Sequence, residues 1–259
     1  MRRSWFWPRP DHRGGTFSVK RVVVTEEMDD AALGAEEHGR ALDGLARINF
    51  FSRNARNLWT VIEALAQEDP GRRLRVLDIA TGSGDIPVSL WKKAKKSGVL
   101  LEIEACDKSP QALDFARVRA QKCGAQVRFF TLDIPKEAIP SGYDVLISSL
   151  FLHHLQKQDA VAFLRHMAKQ AKSLVLVNDL VRNVPGLILA FLGTRLLTAS
   201  RIVHADGVLS ARAAFSVSEI KNALQEAGLP LARVERRWPS RFLVISKRKE
   251  MSDEAVGRH

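Results

Sequence analysis

The sequence predicts an α/β fold built on a doubly wound, mostly parallel seven-stranded sheet, and three observations support it. First, the apolar run 76–79 leads straight into Gly82 and Gly84, as a buried strand does when it ends in a tight turn before a helix. Second, four more short strand-like runs follow, separated by helical segments, which is typical of a parallel sheet. Third, the runs around Val234 and 242–245 are typical of the antiparallel strand pair that closes such a sheet.

The elements follow in a regular order. N-terminal helices are predicted before the sheet, because Leu42, Leu45 and Ile48 have helical spacing. After the second strand, Ser109 and Pro110 are typical of an N-cap followed by a first-turn proline. The strands predicted to be parallel cover residues 76–79, 101–107, 127–133, 143–149 and 173–177.

The length of 259 residues predicts one domain with additions. We expect a mobile N-terminal extension over residues 1–25, a single domain over 26–248 and a frayed tail over 249–259. Within the domain, a helical lid is predicted at about 36–70 and a helical insert at about 183–215, before the last helix and the strand pair.

Composition limits the choice of partners and compartment. The net charge of +11 raises nucleic acid as a partner, but the basic excess is spread along the chain, so nucleic acid is not expected. Two cysteines, Cys106 and Cys123, argue against a disulfide framework and favour the cytoplasm. The apolar run 187–192 is too short to span a membrane, while the tryptophans near the N-terminus allow peripheral membrane contact. No Cys/His spacing predicts a metal site, and the oligomeric state stays open.

The glycine-rich turn predicts a nucleotide-like ligand. Glycine lets the backbone approach a ligand closely, and the following helix points its N-terminal N–H groups into the same crevice. Pro87 stands where a dinucleotide fingerprint needs a small third residue, so a pyrophosphate is disfavoured. Asp78 inside the strand suits a ligand with cationic groups.

The run from Asp78 to Gly84 resembles the first motif of the class I S-adenosylmethionine (SAM)-dependent methyltransferases, with Ala80 where the family usually has glycine. The resemblance spans about residues 75–180 and implies SAM as the cofactor. It implies that Asp107 accepts hydrogen bonds from the ribose hydroxyls and that Asp133 faces the adenine amino group. The expected cofactor contacts are Asp78, Ala80, Thr81, Gly82, Ser83, Gly84, Asp107, Lys108, Asp133, Ile134 and Ser149.

Three segments are candidates for the acceptor site, and the first is the predicted helix pair over residues 41–54, before the sheet. His153 and His154 follow the fourth strand, where open α/β sheets bind ligands, and a histidine there could act as a general base. Of the two, His154 is favoured as the residue that faces the site. In the insert, His204 is a further candidate base, and Asp206 and Arg212 are candidate substrate-binding residues.

Together these features predict an enzyme that methylates oxygen or carbon of a small, lipophilic aromatic or polyketide-like acceptor. The resemblance to quinone- and polyketide-modifying methyltransferases and the apolar insert favour this acceptor class. Two alternatives stay open: an RNA methyltransferase, favoured by charge alone, and a SAM-binding accessory protein without catalysis.

Overall fold

A computed structural model describes residues 20–24, 34–134 and 136–248. Its centre is one seven-stranded sheet, whose strands are β1 (Leu74–Ile79), β2 (Leu101–Asp107), β3 (Val127–Thr131), β4 (Val145–Ser149), β5 (Leu174–Leu180), β6 (Arg233–Arg237) and β7 (Arg241–Lys247). The strand order is β3-β2-β1-β4-β5-β7-β6. Strands β1 to β5 are parallel, and β7 runs antiparallel to both of its neighbours, β5 and β6. The predicted fold class is therefore confirmed.

Eight α-helices surround the sheet in the described residues. Local capping explains several of the boundaries: Ser109 caps one helix and is followed by Pro110, and Ser216 forms a capping box with Glu219. The helices are α1 (Ala35–Phe51), α2 (Asn54–Glu68), α3 (Asp85–Ser97), α4 (Pro110–Lys122), α5 (Lys157–Gln170), α6 (Val184–Leu197), α7 (Arg201–Ala213) and α8 (Val217–Glu226).

The core has one layer on each face of the sheet. On one face, Val76, Ile147 and Leu243 pack against α2 and α3. On the other face, Leu77, Val177 and Phe242 pack against α5 and α8. Each fully buried aliphatic side chain of this kind contributes about 1.5–3 kcal/mol to the hydrophobic stabilisation of the fold.

The bounds of β1, β3, β4 and β5 differ from those predicted, and two of the differences bear on the site. β3 ends at Thr131, so Asp133 lies in the loop beyond the strand. β5 continues to Leu180, because its antiparallel pairing with β7 extends to the pair Leu180–Arg241. Asp179 is consequently held inside a central strand.

The predicted lid and insert are both helical: α1 and α2 precede the sheet, and α6 and α7 separate β5 from α8. The predicted N-terminal extension needs a correction at its end. Arg21 donates to the carbonyl oxygens of Ala213 at 2.7 Å and Leu155 at 2.7 Å, and its guanidinium stacks on the Phe215 ring at 3.9 Å. These contacts tie residues 20–24 to the insert. The rest of the predicted extension and the predicted tail 249–259 lie outside the described residues.

Candidate active site

The turn after β1 has the backbone geometry of a ligand-binding loop. Ala80, Gly82 and Gly84 all have positive φ, at 57°, 55° and 69°. A Cβ on Gly84 would lie 2.8 Å from the Cβ of Ala116, so only glycine lets α4 pack this closely. A Cβ on Gly82 would meet nothing within 4 Å, so this backbone borders open space. Ala80 adopts the left-handed conformation that glycine reaches without a steric cost.

Asp78 lies buried beneath this turn, with 1% of its surface exposed. Its Oδ2 accepts a hydrogen bond from Thr81 Oγ1 at 2.7 Å, and its Oδ1 has no partner among the described residues. Burial raises the pKa of Asp78 to about 7, although the bond from Thr81 opposes the shift. A buried carboxyl with one open oxygen is suited to a cationic ligand group.

Asp107 ends β2 and faces the same turn. Its two carboxylate oxygens accept from the backbone N–H of Gly82 at 2.8 Å and of Ser109 at 2.9 Å. The acid therefore holds the glycine turn against the start of α4. Because each carboxylate oxygen has two lone pairs, both can accept a further hydrogen bond from a ligand.

The other predicted cofactor residues are spread along the edge of the crevice. Asp133 pairs with Lys136 at 2.8 Å, Ile134 is buried in the core and Lys108 is exposed. Six of the predicted residues border one cavity with the lid: its lining is Leu42, Leu45, Asn49, Asp78, Ala80, Thr81, Gly82, Ser83, Asp85, Ile86, Ser149 and Leu150.

Neither Asn49 nor Asp85 was singled out as a site residue, although Asn49 lies in the candidate segment 41–54. Asn49 Nδ2 donates to Asp85 Oδ2 at 3.2 Å, which joins the lid helix α1 to the first turn of α3. Burial raises the pKa of Asp85. The position of Asp85 directly after Gly84 could have identified it from the sequence. Its contact with Asn49 across the crevice could be recognised only from the fold.

His153 is buried behind the end of β4 and is paired with Asp179 of β5. Its Nδ1 lies 2.7 Å from Asp179 Oδ1, and its backbone N–H donates to Asp179 Oδ2 at 3.1 Å. Burial alone would raise the pKa of Asp179, but the charge and the hydrogen bond of His153 lower it below the usual range. A carboxylate that holds Nδ1–H makes Nε2 the basic ring atom, which is the arrangement of an oriented general base.

The remaining candidate residues have different surroundings. His154 is partly exposed, and its ring lies 4.3 Å from the ring of His153. His204, in α7, has Nε2 at 2.8 Å from the carbonyl oxygen of Thr198, a contact within the insert. Asp206 is buried and Arg212 is partly exposed, both also in α7. Helix α7 lies beside the short turn 152–154 that holds His153, and the roles of His204, Asp206 and Arg212 stay predictions.

Residues 76–173 match a family model described as a methyltransferase domain. Two curated relatives are release factor glutamine methyltransferases. The protein from Bacillus subtilis is 35% identical over 79 residues, which is 30% of this chain and 26% of that protein. The protein from Bacteroides thetaiotaomicron is 34% identical over 91 residues, or 34% and 31% of the two chains. The chain thus spans about a quarter to a third of the length of these relatives.

Solved structures share the fold at low identity. The magnesium protoporphyrin IX methyltransferase from Synechocystis PCC 6803 with bound S-adenosylhomocysteine (SAH) matches with a TM-score of 0.52 and 20% identity, covering 75% of this chain and 83% of that one. An O-methyltransferase family 2 protein from Planctomyces limnophilus, in complex with apigenin, matches with a TM-score of 0.51 and 17% identity, covering 76% and 61%. The family match shows a methyltransferase domain over residues 76–173, and these likenesses show that its fold is the one shared by class I methyltransferases.

Proposed function

We propose that this chain transfers a methyl group from SAM to oxygen or carbon of a small, lipophilic aromatic or polyketide-like acceptor. The observation that carries the proposal is the His153–Asp179 pair. His153 lies four residues after Ser149, which ends β4 and lines the cofactor cavity, and Asp179 lies near the end of β5. A buried, carboxylate-oriented histidine beside a methyl-donor site suits deprotonation of a phenol or an enol.

The cavity residues fit SAM. The open space at Gly82 lets a ligand approach the backbone closely. Oδ1 of Asp78 and Oγ of Ser149 are buried without a partner among the described residues, so a ligand could hydrogen-bond to both. Asp78 would attract the α-amino cation, Asp107 the ribose hydroxyls and Asp133 the adenine amino group. When bound, SAM supplies a methyl group activated by a cationic sulfur.

The chain's own residues supply the proton transfer and the positioning. His153 Nε2 accepts the proton of the acceptor hydroxyl as its oxygen becomes nucleophilic. Asp179 keeps the ring in the required tautomer and stabilises the imidazolium that forms. The lid helix α1 contributes Leu42 and Leu45 to the cavity, which excludes water from the transfer.

Exposed apolar surface on the lid and the insert supports a lipophilic acceptor. The insert packs on the lid, with Ile202 and Val203 of α7 buried against Ala41 of α1. The outer sides of α1 and α6 leave seven large apolar side chains exposed: Phe50, Phe51, Ile188, Leu189, Phe191, Leu192 and Leu196. Apolar exposure of this extent is typical of surfaces that meet apolar ligands or interfaces.

Location and partners are part of the proposal. Of the helices in the described residues, none is long and apolar enough to cross a membrane. We propose a cytoplasmic enzyme, since Cys106 and Cys123 are both free thiols. The N-terminal tryptophans proposed for peripheral membrane contact lie outside the described residues.

Cofactor choice is tested by calorimetric titration of the purified chain with SAH and, separately, with NAD. We expect binding of SAH and no signal from NAD, because Pro87 replaces the small residue that a pyrophosphate loop needs. Tight NAD binding without an SAH signal would overturn the proposed cofactor.

Acceptor class is tested by transfer from SAM carrying a tritiated methyl group. We expect label in lipophilic phenols, hydroxyquinones or polyketide-like enols. The curated relatives are named for a protein substrate, so a release factor belongs in the same panel. Label in the release factor or in RNA, with none in the small molecules, would contradict the proposed acceptor class.

The affinity for SAH should rise with pH between about 6 and 8, by up to about tenfold per pH unit below the pKa of Asp78. The apo carboxyl ionises near pH 7, and only its ionised form pairs with the α-amino cation of the ligand. Protons should therefore be released on binding near neutral pH, which calorimetry detects by comparing buffers of different ionisation enthalpy. Asp78→Asn should weaken binding and abolish the pH dependence, while Asp69→Asn, at an exposed site, serves as the control. A pH-independent affinity in the parent would refute this role of Asp78.

A further inference from the structure

Helix α6 turns its large apolar side chains away from the domain. Its buried positions hold the small residues Gly186 and Thr194. A Cβ on Gly207 of α7 would lie 2.5 Å from Thr194 Cγ2, so only glycine lets the two helices pack this closely. The exposed positions of α6 recur with helical spacing and hold Ile188, Leu189, Leu192 and Leu196. A surface helix normally buries such residues, but nothing in the described part of the chain covers them fully.

A tryptophan lies beside the start of α6. The turn 238–240 joins β6 to β7 and packs on this helix, because a Cβ on Gly186 would lie 3.2 Å from the Cβ of Ser240. The carbonyl oxygen of Ser240 also accepts from the N–H of Val181, shortly before the helix, at 2.8 Å. The turn leaves Trp238 68% exposed. An exposed indole, with its apolar ring and polar N–H, suits a position at the border between an apolar and an aqueous phase.

The end of α1 brings two phenylalanines to the same region. Arg241, directly after the turn 238–240, donates to Ser52 Oγ at 3.0 Å, and Ser52 directly follows α1. The last two residues of α1, Phe50 and Phe51, are 78% and 54% exposed. We call the outer side of α6, together with these two phenylalanines and Trp238, the apolar face.

The apolar face lies at the end of the sheet that holds the cofactor cavity. Arg241 pairs with Leu180, the last residue of β5, at the carboxyl end of the parallel strands. The helix α1, which carries the two phenylalanines, also contributes Leu42 and Leu45 to the cavity lining. A structure that binds to the apolar face therefore lies near the cavity.

The segments that form the apolar face are basic. Residues 47–56, 182–201 and 236–241 contain three arginines each and neither Asp nor Glu, although the whole chain has 29 acidic residues. One of these guanidiniums, that of Arg195, stacks on the ring of Phe191 at 3.6 Å. The exposed arginines of the three segments are Arg47, Arg53, Arg56, Arg195, Arg201 and Arg236. Arginines around an apolar centre complement a surface that is anionic outside and apolar beneath.

This charge pattern decides between the possible occupants. A second copy of the chain fits poorly, because a two-fold contact through this face would bring the arginine-rich segments of the two copies together. Nucleic acid matches the arginines, but it offers no apolar layer to bury the exposed leucines of α6. A lipid bilayer with anionic headgroups matches both features.

We propose that the apolar face docks on an anionic lipid bilayer, with α6 lying in the plane of the membrane interface. At 14 residues, α6 is too short to span the apolar layer, but it can bury its outer side at the level of the headgroups. Trp238 is of the residue type that anchors proteins at this level. The cavity then lies near the bilayer, so a lipophilic acceptor reaches it from the membrane; this last step rests on the proposed function.

The test is flotation of the full chain with vesicles made of equal parts phosphatidylglycerol and phosphatidylcholine. We expect the parent to bind these vesicles, and to bind vesicles of phosphatidylcholine alone more weakly. The double variant Leu192→Gln, Leu196→Gln should lower the partition coefficient about 10- to 100-fold on both kinds of vesicle. The double variant Arg195→Gln, Arg201→Gln should lower it about 10- to 30-fold on the anionic vesicles alone.

Matched control variants remove the same kinds of side chain elsewhere. Leu100→Gln with Val118→Gln removes two apolar side chains that are about as exposed as Leu192, before β2 and on α4. Lys96→Gln with Lys122→Gln removes two exposed cations at the ends of α3 and α4. Both control variants should bind vesicles as the parent does.

Thermal unfolding of each variant shows whether it folds. If the leucine variant does not, Phe50→Ser with Trp238→Ser carries the same comparison, since both side chains are exposed.

Three results would overturn the docking surface. The first is a parent chain that binds neither kind of vesicle, whether it dimerises through the leucines in ultracentrifugation or binds single-stranded RNA through the arginines. The second is an equal loss of vesicle binding in the control variants. The third is vesicle binding that Trp5→Ser with Trp7→Ser abolishes and the leucine variant leaves unchanged, which would assign the contact to the N-terminal stretch.

A second measurement links docking to the reaction. Methyl transfer is compared for a long-chain alkylphenol held in the anionic vesicles and for phenol in solution. The ratio of the two rates should fall at least about tenfold in the leucine variant and stay unchanged in the Leu100, Val118 control variant. An unchanged ratio in a leucine variant that no longer binds vesicles would overturn delivery from the membrane. Vesicle binding needs neither SAM nor acceptor, so a parent that binds vesicles but methylates neither phenol would overturn the proposed function and leave the docking surface standing.

Discussion

Replacing Asp179 by Asn should lower the rate of methyl transfer about 10²- to 10⁴-fold and leave SAH affinity nearly unchanged. Asp179 contacts His153 through both carboxylate oxygens and is not one of the residues that line the cofactor cavity. An amide at this position can donate to Nδ1, which favours the wrong tautomer and removes the basic lone pair from Nε2. The loss should therefore appear in turnover.

The measurement is kcat against pH for parent, Asp179→Asn and His153→Ala, with SAH affinity measured in parallel. Raising the pH should partly restore activity in both variants, because the acceptor then ionises by itself. Asp159→Asn, at an exposed site in the first turn of α5, controls for loss of a carboxylate. A pH-independent loss of less than about tenfold would reduce the pair to a positioning role.

The two adjacent histidines can be separated in the same experiment. The sequence favoured His154 as the residue facing the site, whereas the structure pairs His153 with Asp179 and leaves His154 partly exposed. If His153 is the base, His154→Ala should retain most of the turnover. A larger loss of turnover in His154→Ala than in His153→Ala would instead identify His154 as the base. Full activity in both variants and in the double variant would exclude base catalysis by either histidine.

The fold could be predicted from the sequence because its signals are local. Apolar runs, the glycine turn and caps such as Ser109–Pro110 each act within a few residues, and their order defines a parallel sheet. Local patterns also predicted that Asp78 and Asp107 lie at the carboxyl edge of the sheet, where β1 and β2 end.

The missed features depend on contacts between distant segments. His153 and Asp179 are 26 residues apart, and only the register of β4 with β5 brings them together. Arg241 looks like an ordinary basic residue at a strand start until its burial and its contact with Ser52 are known. Arg21 directly precedes the apolar run 22–24, and no local sequence pattern predicts its packing on Phe215.

Asp107→Ala should weaken SAH binding by about 2–4 kcal/mol, or about 30- to 1000-fold. The substitution removes the acceptor proposed for both ribose hydroxyls. It also removes the bond from Gly82 N–H, which holds the glycine turn, so both the contact and its positioning are lost. Asp133→Ala should cost less, because Asp133 is partly exposed and adenine also stacks on apolar neighbours.

Calorimetry with SAH and with its 2′-deoxy analogue separates the two effects of Asp107. If the acid binds the ribose, the parent should prefer SAH over the analogue, and Asp107→Ala should lose that preference. A loss of affinity that is equal for both ligands would show that Asp107 acts on the turn alone. Asp114→Ala, at an exposed site on α4, is the control and should change neither affinity. If Asp107→Ala binds SAH as well as the parent does, the end of β2 is not the ribose site, because binding would then not need the carboxylate that is proposed to accept from both ribose hydroxyls.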